Sequence, residues 1–170
     1  MYHRAKAAII IVAIGLWLLN TSICFADQNQ DMGGWEKGSP YNRHYDVSEV
    51  ESFKAWVVKV TEVVPMPGMS PGVVLFVREG NTPGAETIAV HVCPSWFMSP
   101  KNIGLKPGDR IKIRGVWAEI DGKDIFMAAK IKKGEYFSLK VRLTKDGKPF
   151  WTMDPQELAA EREAAKADKE

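Results

Sequence analysis

The sequence is poor in the side chains that most often serve as nucleophile, general base or metal ligand. Its 170 residues hold two cysteines, Cys24 and Cys93, and three histidines, His3, His44 and His91. A Cys-x-x-Cys redox pair, c-type haem attachment and a disulfide framework are therefore excluded. Also missing are a Gly-x-Ser-x-Gly nucleophile turn, a phosphate-cradling glycine loop and a His-Glu-x-x-His metal helix. Together these absences argue against an enzyme. Long apolar runs are scarce too: Ala7 to Leu19 is one run of thirteen residues, broken only by Gly15, and it falls short of the roughly 20 residues that cross a bilayer.

That run has a specific setting. Arg4 and Lys6 precede it without an acid, and Asn20 to Ala26 follows as a short polar stretch ending in small residues, the three-part form of a secretory signal peptide. Cleavage after Ala26 would deliver the mature chain outside the cytoplasm with no membrane span; an uncleaved anchor is the alternative. Ile23 is larger than the small residue that precedes the cysteine of a lipid-attachment site. Cleavage removes two positive charges and no acid, so the formal charge falls from +2 to 0 and Cys93 becomes the single thiol. Such a thiol is buried and inert, paired with another chain, or a metal or redox ligand, with burial the default. A neutral, exported chain is a poor candidate for nucleic-acid binding, which rests on Lys and Arg contacts to phosphate. Charge is nonetheless uneven, at −4 over residues 27–100, +7 over 101–148 and −3 over 149–170. The basic stretch reads as one face of a sheet or, by default, as its solvated edge.

Residues 27–50 are polar, carry Gly33-Gly34, Gly38 and Ser39-Pro40, and show no periodicity, which predicts an extended N-terminal arm pinned by Trp35, Tyr41 and Tyr45. From there to residue 151 the pattern is β. Strands are expected over 53–64, 72–79, 86–93, 110–120 and 125–132, separated by Pro65-Met66-Pro67-Gly68, Gly80 to Gly84, a segment with room for a short helix between Pro94 and Leu105, and the Asp121-Gly122 hairpin signal. A long first strand and an insertion between the third and fourth follow the order of an OB-fold barrel. Tyr136 to Leu143 with Asp146-Gly147-Lys148 adds a C-terminal strand or hairpin. Residues 152–170 switch to Ala, Glu and Lys, a charged tail that is helical or disordered. The fold class is thus all-β: a five-stranded OB-fold-like barrel with a short helix between strands 3 and 4 and an extra strand or hairpin after it.

This order, with Gly38 to Asn42, Met66 to Val73, Val90 to Phe97 and Leu105 to Asp109, resembles a group of small exported bacterial OB-fold proteins over roughly Trp35 to Trp151. The resemblance implies a noncatalytic binding module and no chemistry. Cys93 stands where that pattern has glycine before Pro94, so the resemblance assigns the thiol no role.

Two sets of residues could form a site. Period-two alternation puts Ala89, His91 and Cys93 on one face of the third strand, with Met66 and Met69 in a loop at the same end of the barrel. Thiolate, thioether and imidazole together suit a soft metal such as Cu(I); equally, methionines fill irregular gaps and cysteine acts as a small apolar residue. The second set is Phe76, His91, Trp96 and Phe97, on the strands and loops with which OB barrels bind ligands by stacking; core packing is the competing use of these rings. The function expected is an exported binding module for a small ligand, a metal or a partner protein. The alternatives are an assembly protein docking through its arm and a weak single-stranded nucleic-acid binder.

Overall fold

The computed structural model describes residues 31–80 and 84–167; the signal-peptide reading concerns residues outside these. Six strands dominate: β1 Glu51–Val63, β2 Gly72–Arg78, β3 Ile88–Pro94, β4 Arg110–Ile120, β5 Lys123–Lys133 and β6 Phe137–Lys140. The chain is all-β, as its sequence predicts, and five of the strands form a closed ring. Antiparallel ladders join β3 to β2, β2 to β1, β1 to β4 and β4 to β5, and a short parallel pairing of Val90 with Phe126 and His91 with Met127 joins β3 to β5. β6 extends the sheet beyond β5.

The length of β1 makes closure possible. Its first half, Glu51 to Trp56, pairs with β4, while the stretch from Trp56 to Val63 pairs with β2. A register shift between Val57 and Lys59 leaves Val58 unpaired and half out of the ladder, and such a bulge bends and twists a strand. A second irregularity, between Arg114 and Gly115, curves β4 against β5. Only glycine fits there, since a Cβ on Gly115 would overlap the Met127 carbonyl. Asp121 and Gly122 both have positive φ, 51° and 70°, which is the type I′ hairpin that matches strand twist. Inside the ring, Ala55, Val57, Leu75, Val90, Ile111, Ile113, Phe126 and Ile131 are buried together.

The arm differs from its expected extended form. Ser39 Oγ accepts a hydrogen bond from the Asn42 N–H at 3.2 Å and Pro40 opens a four-residue helix, α1 (Pro40–Arg43), an N-cap followed by proline at the first helical position. Its aromatic side chains enter the core. Trp35 and Tyr41 are each 1% exposed, Trp35 Nε1 donates to the Ser70 carbonyl at 3.0 Å, and Trp151 Nε1 donates to the Trp35 carbonyl at 2.8 Å. Gly72 is where the Trp35 ring lies so close that no Cβ would fit. The arm and the segment 141–151 therefore complete one core with the ring.

The expected helix between β3 and β4 does not form. Residues 95–105 make separate turns, in which Met98 N–H donates to Pro94 O and Asn102 N–H to Ser99 O. Pro100 has no N–H to continue an i to i−4 ladder. At the other end, Asp154 Oδ1 accepts from the N–H groups of Gln156 and Glu157 and starts α2 (Pro155–Ala167). Ion pairs from Glu157 to Lys148 and from Glu161 to Lys140 hold this helix against the rest. Among the described residues no helix is long and apolar enough to cross a membrane.

Candidate functional site

A cavity of about 490 Å³ opens where the β1–β2 loop, the β2–β3 face and the β4–β5 hairpin meet. The loop contributes Val64 to Pro67, β2 and β3 contribute Val74, Phe76, Ala89 and His91, and the hairpin brings Ile120, Asp121, Lys123 and Ile125. Prolines at 65 and 67 stiffen the loop, so Met66 is presented from a backbone with little freedom. Most of the lining is apolar, with an imidazole inside and one charge of each sign on the hairpin, the composition usual for small-molecule sites.

His91 is the polar centre of this lining. Its Nδ1 and the Tyr41 hydroxyl are 3.2 Å apart in a buried hydrogen bond, with the two rings stacked at 6.0 Å and 17°. Burial lowers the His91 pKa to about 4, so the imidazole is neutral at pH 7. With Nδ1 engaged by Tyr41, Nε2 is the ring nitrogen left for an occupant. Burial also raises the Tyr41 hydroxyl well above the ordinary tyrosine range, which keeps this partner neutral as well.

The two residue sets expected from sequence are divided by the structure. Phe76, His91 and Met66 share the cavity, whereas Cys93 does not line it. The reason is a register shift: β2 pairs Val73 with Cys93 but Val74 with His91, leaving Val92 as the extra residue. Simple alternation fails across such a bulge. Cys93 is fully buried in the core, with Sγ 4.0 Å from the Met98 carbonyl. Met69 lies against Gly34 of the arm. The thioether of Met66 and the imidazole of His91 are thus the soft donors at the cavity, and among the described residues no three His, Cys, Asp or Glu side chains are grouped to hold a metal. Trp96 is 45% exposed and Phe97 packs edge-on to Trp151 at 6.1 Å, both outside the cavity. Asp121, Lys123 and Tyr41 were not anticipated as site residues. The Asp-Gly hairpin signal was the available clue for the first two, because it fixes which end of the ring they occupy.

Burial, opposed by the Arg142 charge, pushes the Cys93 thiol up to about 12. Alkylation of Cys93 by iodoacetamide should accordingly be negligible in the native protein and complete in denaturant, read by mass spectrometry of the Cys93 peptide. Rapid native labelling would place the thiol at the surface instead.

The family model of the MamS/MamX magnetosome proteins matches residues 49–137, just over half of the chain. The chain belongs to this family. Its match runs from the start of β1 to the start of β6, so it contains the whole cavity lining and leaves out the arm and the segment 141–151. No curated protein matches. Among solved structures, the protein prib from Ralstonia solanacearum is similar at 15% identity, covering 51% of this chain and 97% of that one, with a TM-score of 0.38. That likeness is too slight to carry a functional argument.

Proposed function

We propose that this member of the MamS/MamX family is an exported, noncatalytic binding module. Its cavity takes a small molecule with an apolar body and one polar group. The observation that carries the reading is the pairing of an apolar, Phe76- and Met66-lined cavity with a single neutral imidazole held by Tyr41. A neutral His91 offers one hydrogen bond from Nε2 without the cost of desolvating a charge, and Asp121 and Lys123 on the hairpin select the polar end of the occupant. Membership of a family described as magnetosome proteins supports a magnetosome role for this chain too. The N-terminal pattern of basic residues, apolar run and small residues supports export to the periplasm. Docking through the arm is the weaker reading, since Trp35 and Tyr41 are occupied in the protein's own core.

Native mass spectrometry of protein recovered from its own cells tests the proposal. The expected result is a retained small molecule, lost in Ala89→Phe, which places a ring in the cavity at a half-buried position. The variant's melting temperature should stay within about 4 °C of the parent, as for a change of roughly 1 kcal/mol. Retention unaffected by Ala89→Phe would sink the cavity reading, because the occupant would then lie elsewhere.

A further inference from the structure

On the outer face of β1, β4 and β5 the strand register gathers cations in rows. Lys54 pairs with Lys112, and Lys112 with Lys132, in one row. In the row on one side Arg114 pairs with Ser52 and Lys130, and on the other Arg110 pairs with Trp56. Paired strands lie about 4.8 Å apart, so Lys54, Lys112 and Lys132 span roughly 10 Å. No acid occupies a paired position in the row of Lys54, Lys112 and Lys132. Lys54, Arg110, Lys112, Arg114 and Lys132 are all exposed.

Like charges placed directly opposite each other destabilise a sheet, and acids neutralise other lysines of the same domain: Asp109 for Lys133, Glu161 for Lys140 and Glu157 for Lys148. The three-lysine row thus concentrates positive charge where folding gains nothing from it. Aromatic side chains mark one end of the face. Trp56 lies under the Arg110 guanidinium, 5.9 Å from its ring centroid, and Tyr136, 88% exposed, projects from the β5–β6 turn just beyond Lys132 and Gly134. A shallow depression lined by Lys54, Arg110, Lys112, Lys132 and Gly134 joins the two features.

We propose that this face docks on the surface of a bilayer containing anionic phospholipid. The lysine and arginine rows meet headgroup phosphates, and Trp56 and Tyr136 rest at the headgroup level that such rings prefer. A nucleic-acid strand fits less well, because recognition of a single strand needs rings interleaved along a basic groove, whereas here they stand at one end of a broad face. The docking face is separate from the cavity, with which it shares no lining residue.

Vesicle sedimentation tests the proposal, comparing pure phosphatidylcholine with a mixture containing about 30% phosphatidylglycerol, at about 0.1 M salt. Attachment through the apolar residues 7–19 would register on both vesicle types, so the difference between them is the measurement. Binding should favour the anionic vesicles. The triple variant K54Q/K112Q/K132Q should lose roughly 100-fold in affinity for them, about fivefold for each charge. Its melting temperature should hold or rise, since like-charge pairs are removed, and K37Q/K101Q/K145Q, with the same charge change off the face, should retain far more of the affinity. Equal binding to both vesicles, equal losses in the two triple variants, or retention on single-stranded DNA without vesicle binding would each overturn the proposal.

Discussion

Replacing Arg142 with alanine is expected to lower stability by about 4 kcal/mol, measured by urea denaturation followed through tryptophan fluorescence. The side chain is 2% exposed, and among the described residues it forms no salt bridge with an acid. Its Nη2 donates to Asn42 Oδ1 at 2.7 Å and its Nη1 to the Gly147 carbonyl at 3.4 Å, while Nε has no partner among the described residues. The guanidinium lies 4.8 Å from the ring centroids of both Tyr45 and Trp151. Burial lowers its pKa to about 10, against the upward pull of Tyr41, Tyr45 and Cys93, so the group stays charged at pH 7. Its positive charge is held by two π faces, one side-chain amide and one backbone carbonyl in place of a carboxylate, and desolvated cation–π contacts are worth about 2 kcal/mol each.

Alanine would remove those contacts, leave Asn42 Oδ1 buried without its donor and open a hole between two rings. Asn42 is also the residue whose Nδ2 donates to the carbonyls of Trp35 and Glu36, so loosening it frees the arm. Arg142→Met separates shape from charge: it fills similar space and removes a cation that lacks an anion, so it should cost about half as much. An alanine variant within about 1 kcal/mol of the parent would show that the arm is not held through Arg142.

What the sequence disclosed of this arrangement depended on how local the signal was. The limits of β4 were legible because Pro107-Gly108-Asp109 and Asp121-Gly122 are turn signals that act within a few residues. The split of β1 between two partners was not, since Val58 resembles its neighbours and a bulge depends on both strands. The same limit misled the site. β3 reads Ile-Ala-Val-His-Val-Cys-Pro with five of its seven residues buried and none exposed, so no solvent-facing position betrays the shift at Val92 that sends His91 to the cavity and Cys93 to the core. Strand order brings Met66, Phe76 and His91 to one cavity, whereas Trp96 and Phe97, in the turns after Pro94, lie outside it. Ser39-Pro40 carried a helix-start signal that the polar surroundings masked. Arg142 stands in a basic stretch whose other members are mostly half-exposed or exposed, and nothing in its neighbours marks it as the one that closes the core.

His91 makes stability depend on pH in a window set by burial. Its pKa falls from an ordinary 6.5 to about 4 in the folded protein. Between these values the unfolded chain binds a proton that the folded one does not, so stability falls as pH drops from about 6.5 to 4 and levels off below. The whole loss is about 3 kcal/mol, from a shift worth 1.36 kcal/mol per unit. Asp109 acts in a lower window. For Asp109, burial pushes the pKa up, but the Lys106 N–H and the Lys133 ammonium outweigh it and hold it below the ordinary value, so its contribution is lost only as pH falls below about 4. Urea midpoints at closely spaced pH values between 7.5 and 4 should therefore fall for the parent and change far less for His91→Gln, which has no proton to take up. Tyr41→Phe should lose about 1 kcal/mol at every pH and keep the slope, because the hydroxyl contributes a hydrogen bond while burial sets the pKa. A parent whose stability is flat across this window would mean that the imidazole is hydrated, and would remove the neutral His91 on which the binding reading rests.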